Sequence, residues 1–153
     1  RDKHVTGVQT CALPISAHTY GDTMVYLPQE KVLFSGDVAF HYLTPLARDG
    51  HISNWIKITN GILNHLDVTT LMPGHGPVSD KVAVGKTLKY LRLVKRTSRL
   101  HFDQGSSAEE TCRAIRLGEY ADWVEPERIL INVNRLFQEF RGELPKARAM
   151  RFG

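Results

Sequence analysis

Residues 17–37 read AHTYGDTMVYLPQEKVLFSGD, and this stretch decides the fold. The segment TMVYLP predicts a short β-strand, and KVLFSGD predicts its partner in a hairpin. The turn between them lies at Gln29 and Glu30, and the second strand is predicted to end at Asp37. His18 precedes the hairpin and Asp37 closes it, so both polar residues lie at strand ends, where functional loops concentrate.

The sequence after the hairpin predicts a helix and a further strand. Apolar residues at helical spacing between residues 52 and 66, with Ser53 as N-cap, predict an amphipathic helix that covers a sheet. The run VTTLMPGHGP predicts a strand over residues 68–72 that stops at Pro73. This strand places His75 in a turn between two glycines.

The remaining sequence predicts helices. One is expected over residues 79–101, a capping-box pattern of Ser107 with Glu110 predicts a shorter one, and Pro126 begins the last. The order strand, strand, helix, strand and then helices predicts a layered α/β fold with three polar loops at strand ends.

Those three loops, AHTYGD, SGD and PGHGP, carry candidate metal ligands: His18, Asp37 and His75. Imidazole and carboxylate suit zinc and similar divalent ions. Small flanking residues let the backbone approach a bound group. Each residue alone has an ordinary interpretation as a turn residue, so the combination is what predicts a metal site.

In this order, AHTYGDTMVYLPQEKVLFSGD and LMPGHGPV resemble the metallo-β-lactamase fold superfamily of metal-dependent hydrolases. The resemblance is close over about residues 17–78 and looser through the C-terminal helices. It implies that His18 binds one metal, that Asp37 bridges two, and that His75 binds the second. Ala17 stands where the family commonly has glycine.

The resemblance also implies the chemistry. It implies two zinc ions, with iron or manganese as alternatives, and a small-molecule ester, thioester, lactone, lactam or phosphoester as substrate. Metal lowers the pKa of bound water towards about 7, which provides a metal-bound hydroxide at neutral pH. Asp37, as the bridging ligand, is the residue assigned a catalytic role.

Further residues are candidates for supporting roles. Thr19, Asp22 and Ser35 are candidate outer partners that orient the ligating imidazoles, although Asp22 could equally cap the hairpin. His41 and His51 lie where the family lines its substrate pocket. The alternative for these two histidines is ordinary solvent-exposed loop positions.

One part of the family pattern is absent from this sequence. The first family motif, His-x-His-x-Asp-His, does not occur, so each ion would have at most two protein ligands where catalytic zinc usually has three plus water. We therefore expect the C-terminal half of a four-layer αβ/βα sandwich, without parental activity. Residues 17–104 would be a partial domain, residues 105–142 a helical C-terminal extension, and residues 143–153 a loose tail.

Residues 1–16 follow neither strand alternation nor helical spacing. The stretch VTGVQTCALPIS can be encoded by DNA that resembles the adapter primer of common short-read sequencing libraries. We hypothesise that residues 1–16 are translated adapter and that the natural gene fragment starts at about Ala17; a poorly ordered natural N-terminus is the alternative. The adapter hypothesis predicts few long-range contacts and no sheet pairing for this segment.

Charge and cysteine content limit the classes of partner that the chain is expected to have. The chain has 20 Lys and Arg against 16 Asp and Glu, a mild excess that does not indicate nucleic acid. Four cations recur along the long helix, where a solvated face explains them: Arg92, Lys95, Arg96 and Arg99. No apolar run is long enough to span a membrane. Cys112 is the only cysteine of the sequence outside residues 1–16, so no disulfide framework is expected. This cysteine content is compatible with a cytoplasmic location.

Two other functions share these features. An iron-dependent oxidoreductase on the same fold would use the same ligands. A helical interaction module, in which the three candidate ligands are inert, would need no convergence of His18, Asp37 and His75. The C-terminal helices are a candidate surface for homo-oligomerisation.

Overall fold

The computed structural model describes residues 11–148, with side chains from Pro14 onward. Within that range the chain forms four strands and four helices. The strands are β1 (Cys11–Ile15), β2 (Asp22–Leu27), β3 (Val32–Phe40) and β4 (Thr70–His75), and the helices are α1 (Ile52–His65), α2 (Lys81–Asp103), α3 (Ala108–Ala114) and α4 (Ile129–Phe140). Two short 3-10 turns, Gly118–Asp122 and Pro126–Arg128, connect α3 to α4. The predicted mixed α/β fold is confirmed.

The four strands form one sheet in the order β1-β2-β3-β4. Strand β2 is antiparallel to both β1 and β3, whereas β4 runs parallel to β3 after the crossover through α1. The N-terminal end of β2 therefore meets the C-terminal ends of β3 and β4 at one edge of the sheet. This topology gathers three loops, residues 16–21, 41–51 and 76–80, at that edge.

Helices cover one face of the sheet. Met24, Leu33 and Leu71 point to that face and are fully buried beneath α1 and α2. Because successive side chains of a strand alternate in direction, their neighbours point the other way. Phe34 is 43% exposed and Met72 is 36% exposed on this second face. The sheet thus has a single covering layer of helices among the described residues.

The C-terminal helices share the core of the sheet domain. Helix α4 packs against α2, and its Val133 and Leu136 are fully buried in the same hydrophobic cluster as Tyr90. The predicted capping box is confirmed: Ser107 Oγ accepts from the Glu110 amide, and the Glu110 carboxylate accepts from the Ser107 amide. No helix among residues 11–148 is long and apolar enough to cross a membrane.

The expectation that residues 1–16 make no sheet pairing is wrong for the part that the structure describes. Strand β1 pairs along its length with β2, with Leu13 opposite Met24, and Ile15 is 1% exposed. The physical reason is that β2 would otherwise be an edge strand, whose open N–H and C=O groups accept many sequences through backbone pairing. Residues 1–10 lie outside the described range, so the adapter hypothesis stays a prediction.

The predicted loose tail stays a prediction: up to residue 148 it is mostly exposed and forms no helix or strand, but it makes hydrogen bonds to the rest of the chain. Pro145 O accepts a hydrogen bond from the Tyr20 hydroxyl at 2.9 Å, and the Arg148 amide donates to Ser16 Oγ at 3.1 Å. The Arg148 carbonyl accepts from Asn54 Nδ2 at 2.8 Å. Polar groups of the 16–20 loop and of α1 are thereby satisfied by the tail, and residues 149–153 lie outside the described range.

Candidate metal centre

The three predicted ligands meet at the edge where β2, β3 and β4 end. The Asp37 carboxylate lies between the two imidazoles and presents a different oxygen to each. Its Oδ2 is 3.7 Å from Nδ1 of His18, and its Oδ1 is 3.5 Å from Nε2 of His75. Both histidines therefore lie beside Asp37, although the three residues come from separate parts of the chain.

These separations suit shared metal ions. Two donors on one tetrahedral zinc, each bonded at about 2.0–2.1 Å, are about 3.4 Å apart. Each imidazole–carboxylate pair comes close to that spacing. Within the part of the chain that the structure describes, however, no group of three or more His, Cys, Asp or Glu side chains is arranged to hold one ion. The arrangement provides two pairs of ligands, His18 with Asp37 and Asp37 with His75. Each pair supplies only part of the coordination sphere of a metal ion.

Glycines make room for this arrangement. A Cβ on Gly74 would lie 2.0 Å from Asp37 Oδ1 and 2.7 Å from the carbonyl carbon of Gly36, so any side chain there would displace the carboxylate. A Cβ on Gly50 would lie 2.6 Å from the Ala17 carbonyl oxygen and 2.8 Å from that of His18. Gly74 of the PGHGP motif and the earlier Gly50 are therefore needed for close approach of neighbouring chain segments.

Strand irregularity aims Asp37 into the site. The parallel pairing of β3 with β4 shifts register on both sides of Gly36, between Phe34 and Phe40. Gly36 has a φ of +50°, which L side chains rarely adopt. Such irregularities re-aim side chains beside functional sites. The strand also continues to Phe40 instead of ending at Asp37 as predicted.

An aromatic wall supports both imidazoles. Phe40 stacks on His75 with ring centroids 5.4 Å apart, and its ring lies 6.0 Å from that of His18. Trp55 of α1 meets the His18 ring edge-on at 5.8 Å and is held in turn by a 2.8 Å hydrogen bond from its Nε1 to Val38 O. Phe40 and Trp55 are buried, so the inner side of the site is apolar.

Asp22 organises the loop that carries His18. Its carboxylate accepts hydrogen bonds from the amides of Ala17 (2.8 Å) and Thr19 (2.9 Å) and from the Thr19 hydroxyl (2.7 Å). Its Oδ1 also lies 3.9 Å from Nδ1 of His18. Asp22 thus caps the loop that carries His18, whereas its predicted role as an outer partner of the imidazole stays a prediction, because 3.9 Å is too long for a hydrogen bond. Ser35 instead donates to the carbonyls of Gly36 and Met72, which ties β3 to β4.

The two pocket candidates lie in different surroundings. His41 follows β3, its amide donates to His75 O at 3.1 Å, and its ring stacks on Tyr42 at 4.2 Å. His51 is the N-cap of α1, in place of the predicted Ser53: its Nδ1 accepts from the Asn54 amide at 3.3 Å. His41 therefore borders the candidate ligands, whereas the His51 ring is used to begin a helix.

The sequence reasoning missed a contribution from the last helix segment. Four side chains, about one helical turn apart, bond the backbone of the loop between β3 and α1 and of the first turn of α1: Arg128 to Thr44 O, Asn132 to Pro45 O and Ala47 N, Arg135 to Gly50 O, and Glu139 to Ser53 N. This loop carries Gly50 against the backbone of His18. The regular spacing of the four polar residues was a signal, but only the apolar face of the helix was used in the prediction.

Solved structures with similar folds include two enzymes. The stereoselective inverting sec-alkylsulfatase Pisa1 from Pseudomonas sp. matches over 86% of this chain and 24% of its own, with 17% identity and a TM-score of 0.68. The DIM-1 metallo-β-lactamase matches over 60% of this chain and 44% of its own, with 23% identity and a TM-score of 0.50. The chain has the metallo-β-lactamase fold.

The chain spans about a quarter of the sulfatase and less than half of the lactamase. No protein-family model and no curated protein sequence matches it. The metallo-β-lactamase fold is therefore established by structure alone, and the roles of His18, Asp37 and His75 as ligands stay predictions.

Proposed function

We propose that this chain is the C-terminal part of a metal-dependent hydrolase of the metallo-β-lactamase fold, and that it carries half of a two-metal site. The observation that supports the proposal is the placement of the Asp37 carboxylate, with one oxygen towards His18 and the other towards His75. An inert carboxylate in a helical interaction module has no reason to lie between two imidazoles. The enzymes with similar folds, a sulfatase and a β-lactamase, support a hydrolytic parent.

In this proposal His18 and Asp37 hold one ion, and Asp37 and His75 hold the other. A zinc ion held by these residues would supply a coordinated water of lowered pKa and would polarise the scissile bond. Asp22 fixes the loop of His18, and the buried ring of Phe40 limits rotation of both imidazoles. The solvent side stays open, because the His75 side chain is 52% exposed, so substrate reaches the site from that side.

The truncation is part of the proposal. It rests on the missing His-x-His-x-Asp-His run and on the sheet face that bears Phe34 and Met72. The upstream genomic sequence tests it directly, and an in-frame run of that pattern before Ala17 is expected. The chain as it stands should not turn over thioester or lactone substrates. Stoichiometric tight zinc, with turnover that His18→Ala plus His75→Ala abolishes, would contradict this half-site view.

The site itself is tested by zinc titration of the chain, followed by NMR of the imidazole nitrogens. We expect weak binding that shifts His18 and His75 together. Asp37→Asn should weaken both shifts because the bridging carboxylate is lost, whereas His101→Ala, outside the site, should leave them unchanged. Zinc that shifts neither histidine would refute the metal centre. Metal analysis of the intact parent distinguishes zinc hydrolysis from iron-dependent oxidation.

A further inference from the structure

A groove of about 720 Å³ lies on the outer surface of the helical layer, where α1 and α2 pack together. Its floor is apolar: Ile56 of α1 and Leu93 of α2 are partly buried against the core. Five cationic side chains line the rest, namely Lys89, Arg92, Lys95, Arg96 and Arg99. Along α2 these cations alternate in sequence with the buried residues that face the core. The cations therefore form one stripe on the outward side of the helix.

The groove carries an excess of positive charge that equals the net charge of the whole sequence. The chain has 20 Lys and Arg against 16 Asp and Glu, a net charge of +4. The groove holds five of those cations, and the nearby acid is Asp103, which pairs with Arg99 at 2.7 Å. The remaining 15 cations and 15 acids balance elsewhere. By sequence count, the residues other than these five cations and Asp103 have no net charge. The groove is therefore a concentration of positive charge.

Most of these cations lack a carboxylate partner. Among the side chains of residues 14–148, no acid lies within ion-pair distance of Lys89, Arg92, Lys95 or Arg96, and Arg92 donates instead to Asn60 Oδ1 at 2.9 Å. Like charges three and four residues apart on a helix repel each other. A bound anionic partner would relieve this repulsion. A solvated face, the interpretation from sequence, does not account for the apolar floor beneath the charges.

We propose that this groove binds an acidic amphipathic helix of a partner protein. From Lys89 to Arg99 the groove runs about 15 Å along α2, or nearly three helical turns. Cations at residues 89, 92, 96 and 99 match acidic residues repeated every three or four positions. The floor formed by Ile56 and Leu93 would receive the apolar face of such a helix. The phosphates of a nucleic acid would leave this floor unused, and a flat bilayer surface does not enter a groove.

A synthetic probe tests the proposal on this chain. The probe is a fluorescein-labelled helix of about 15 residues, with leucines on one face and glutamates beside them, measured by fluorescence anisotropy at about 150 mM salt. We expect saturable binding that Lys89→Glu with Arg96→Glu weakens roughly tenfold or more. Leu93→Ala should weaken it severalfold. The matched control, Arg113→Glu with Arg116→Glu, reverses two exposed charges outside the groove and should leave binding unchanged.

Three results would overturn the proposal. A scrambled peptide of equal composition that binds as well would show charge attraction without a groove. Unchanged binding by the Lys89→Glu, Arg96→Glu variant would place the contact elsewhere. Tighter binding of single-stranded RNA or of phosphatidylglycerol vesicles would assign the groove to another partner class. The groove lies on the helical side, away from His18 and Asp37, so these outcomes are independent of the proposed metal centre.

Discussion

Asn132 is the side chain through which α4 holds the loop beside the candidate metal centre. It is 1% exposed, and its Oδ1 accepts from the Ala47 amide at 2.8 Å. Its Nδ2 donates to Pro45 O at 2.8 Å and to the Tyr90 hydroxyl at 2.9 Å. Burial raises the pKa of Tyr90, so its hydroxyl stays neutral at physiological pH and accepts this bond. All groups in this network are buried and satisfied.

Replacing Asn132 by alanine should destabilise the chain by about 4 kcal/mol. The change leaves Ala47 N–H and Pro45 C=O buried without partners, at about 1–3 kcal/mol each. The higher helix propensity of alanine returns only about 0.5 kcal/mol. For a domain of this size, the loss corresponds to a drop in Tm of roughly 8–16 °C. Urea unfolding measures the free energy of unfolding and thermal unfolding measures the Tm, both followed by circular dichroism.

Two further variants make the result decisive. Asn134→Ala is the same substitution two residues along α4, where the side chain is exposed and bonds only Leu130 O; its effect should stay within about 0.5 kcal/mol. Asn132→Leu keeps the branched shape and the number of side-chain heavy atoms but not the hydrogen bonds, so it should be at least as destabilising as Asn132→Ala. Equal stability of Asn132→Ala and Asn134→Ala, or full rescue by leucine, would refute the hydrogen-bond argument.

Gly74→Ala should displace the Asp37 carboxylate and weaken the zinc-induced NMR shifts of His18 and His75. In contrast, Gly85→Ala has open space at its Cβ and should stabilise α2 by about 0.5–1 kcal/mol. Unchanged zinc-induced shifts for Gly74→Ala would contradict the close approach of Gly74 to Asp37. The hydrogen bonds of Ser107 hold the pKa of Glu110 below its ordinary value of 4.5, so the stabilising effect is present above that pH and is lost as the pH falls through the lowered pKa. Unfolding of the wild type and Glu110→Gln at pH 7 and pH 3 should therefore differ more at pH 7. Burial raises the pKa of the Cys112 thiol, so in a Cys11→Ser background it should react with a disulfide reagent more slowly when folded than in urea; equal rates would show that the thiol is not protected.

Local pattern predicted much of what was found. Alternation and turn residues located β2 and β3, and helical spacing located α1, α2 and α4, because each element selects its own period of apolar residues. The candidate ligands were found for a related reason, since His18 lies in the loop before β2 and Asp37 and His75 lie beside glycines near the C-terminal ends of β3 and β4, although both were predicted to lie beyond the strand or at its last residue. The boundaries were less accurate, because caps such as His51 depend on side-chain geometry.

Long-range relations were decided only by the tertiary structure. The sequence does not show that residue 50 must lack a side chain because it packs against the backbone of His18. It also does not show that the Phe40 ring contacts two imidazoles. Both contacts join residues far apart in the chain. The same holds for the pairing of β1 with β2, which uses backbone groups that every residue carries. Sequence by itself determined which side chains have the chemistry to bind metal. The tertiary structure decided that Asp37 faces both histidines, since the parallel ends of β3 and β4 and the β1–β2 loop meet at one edge of the sheet.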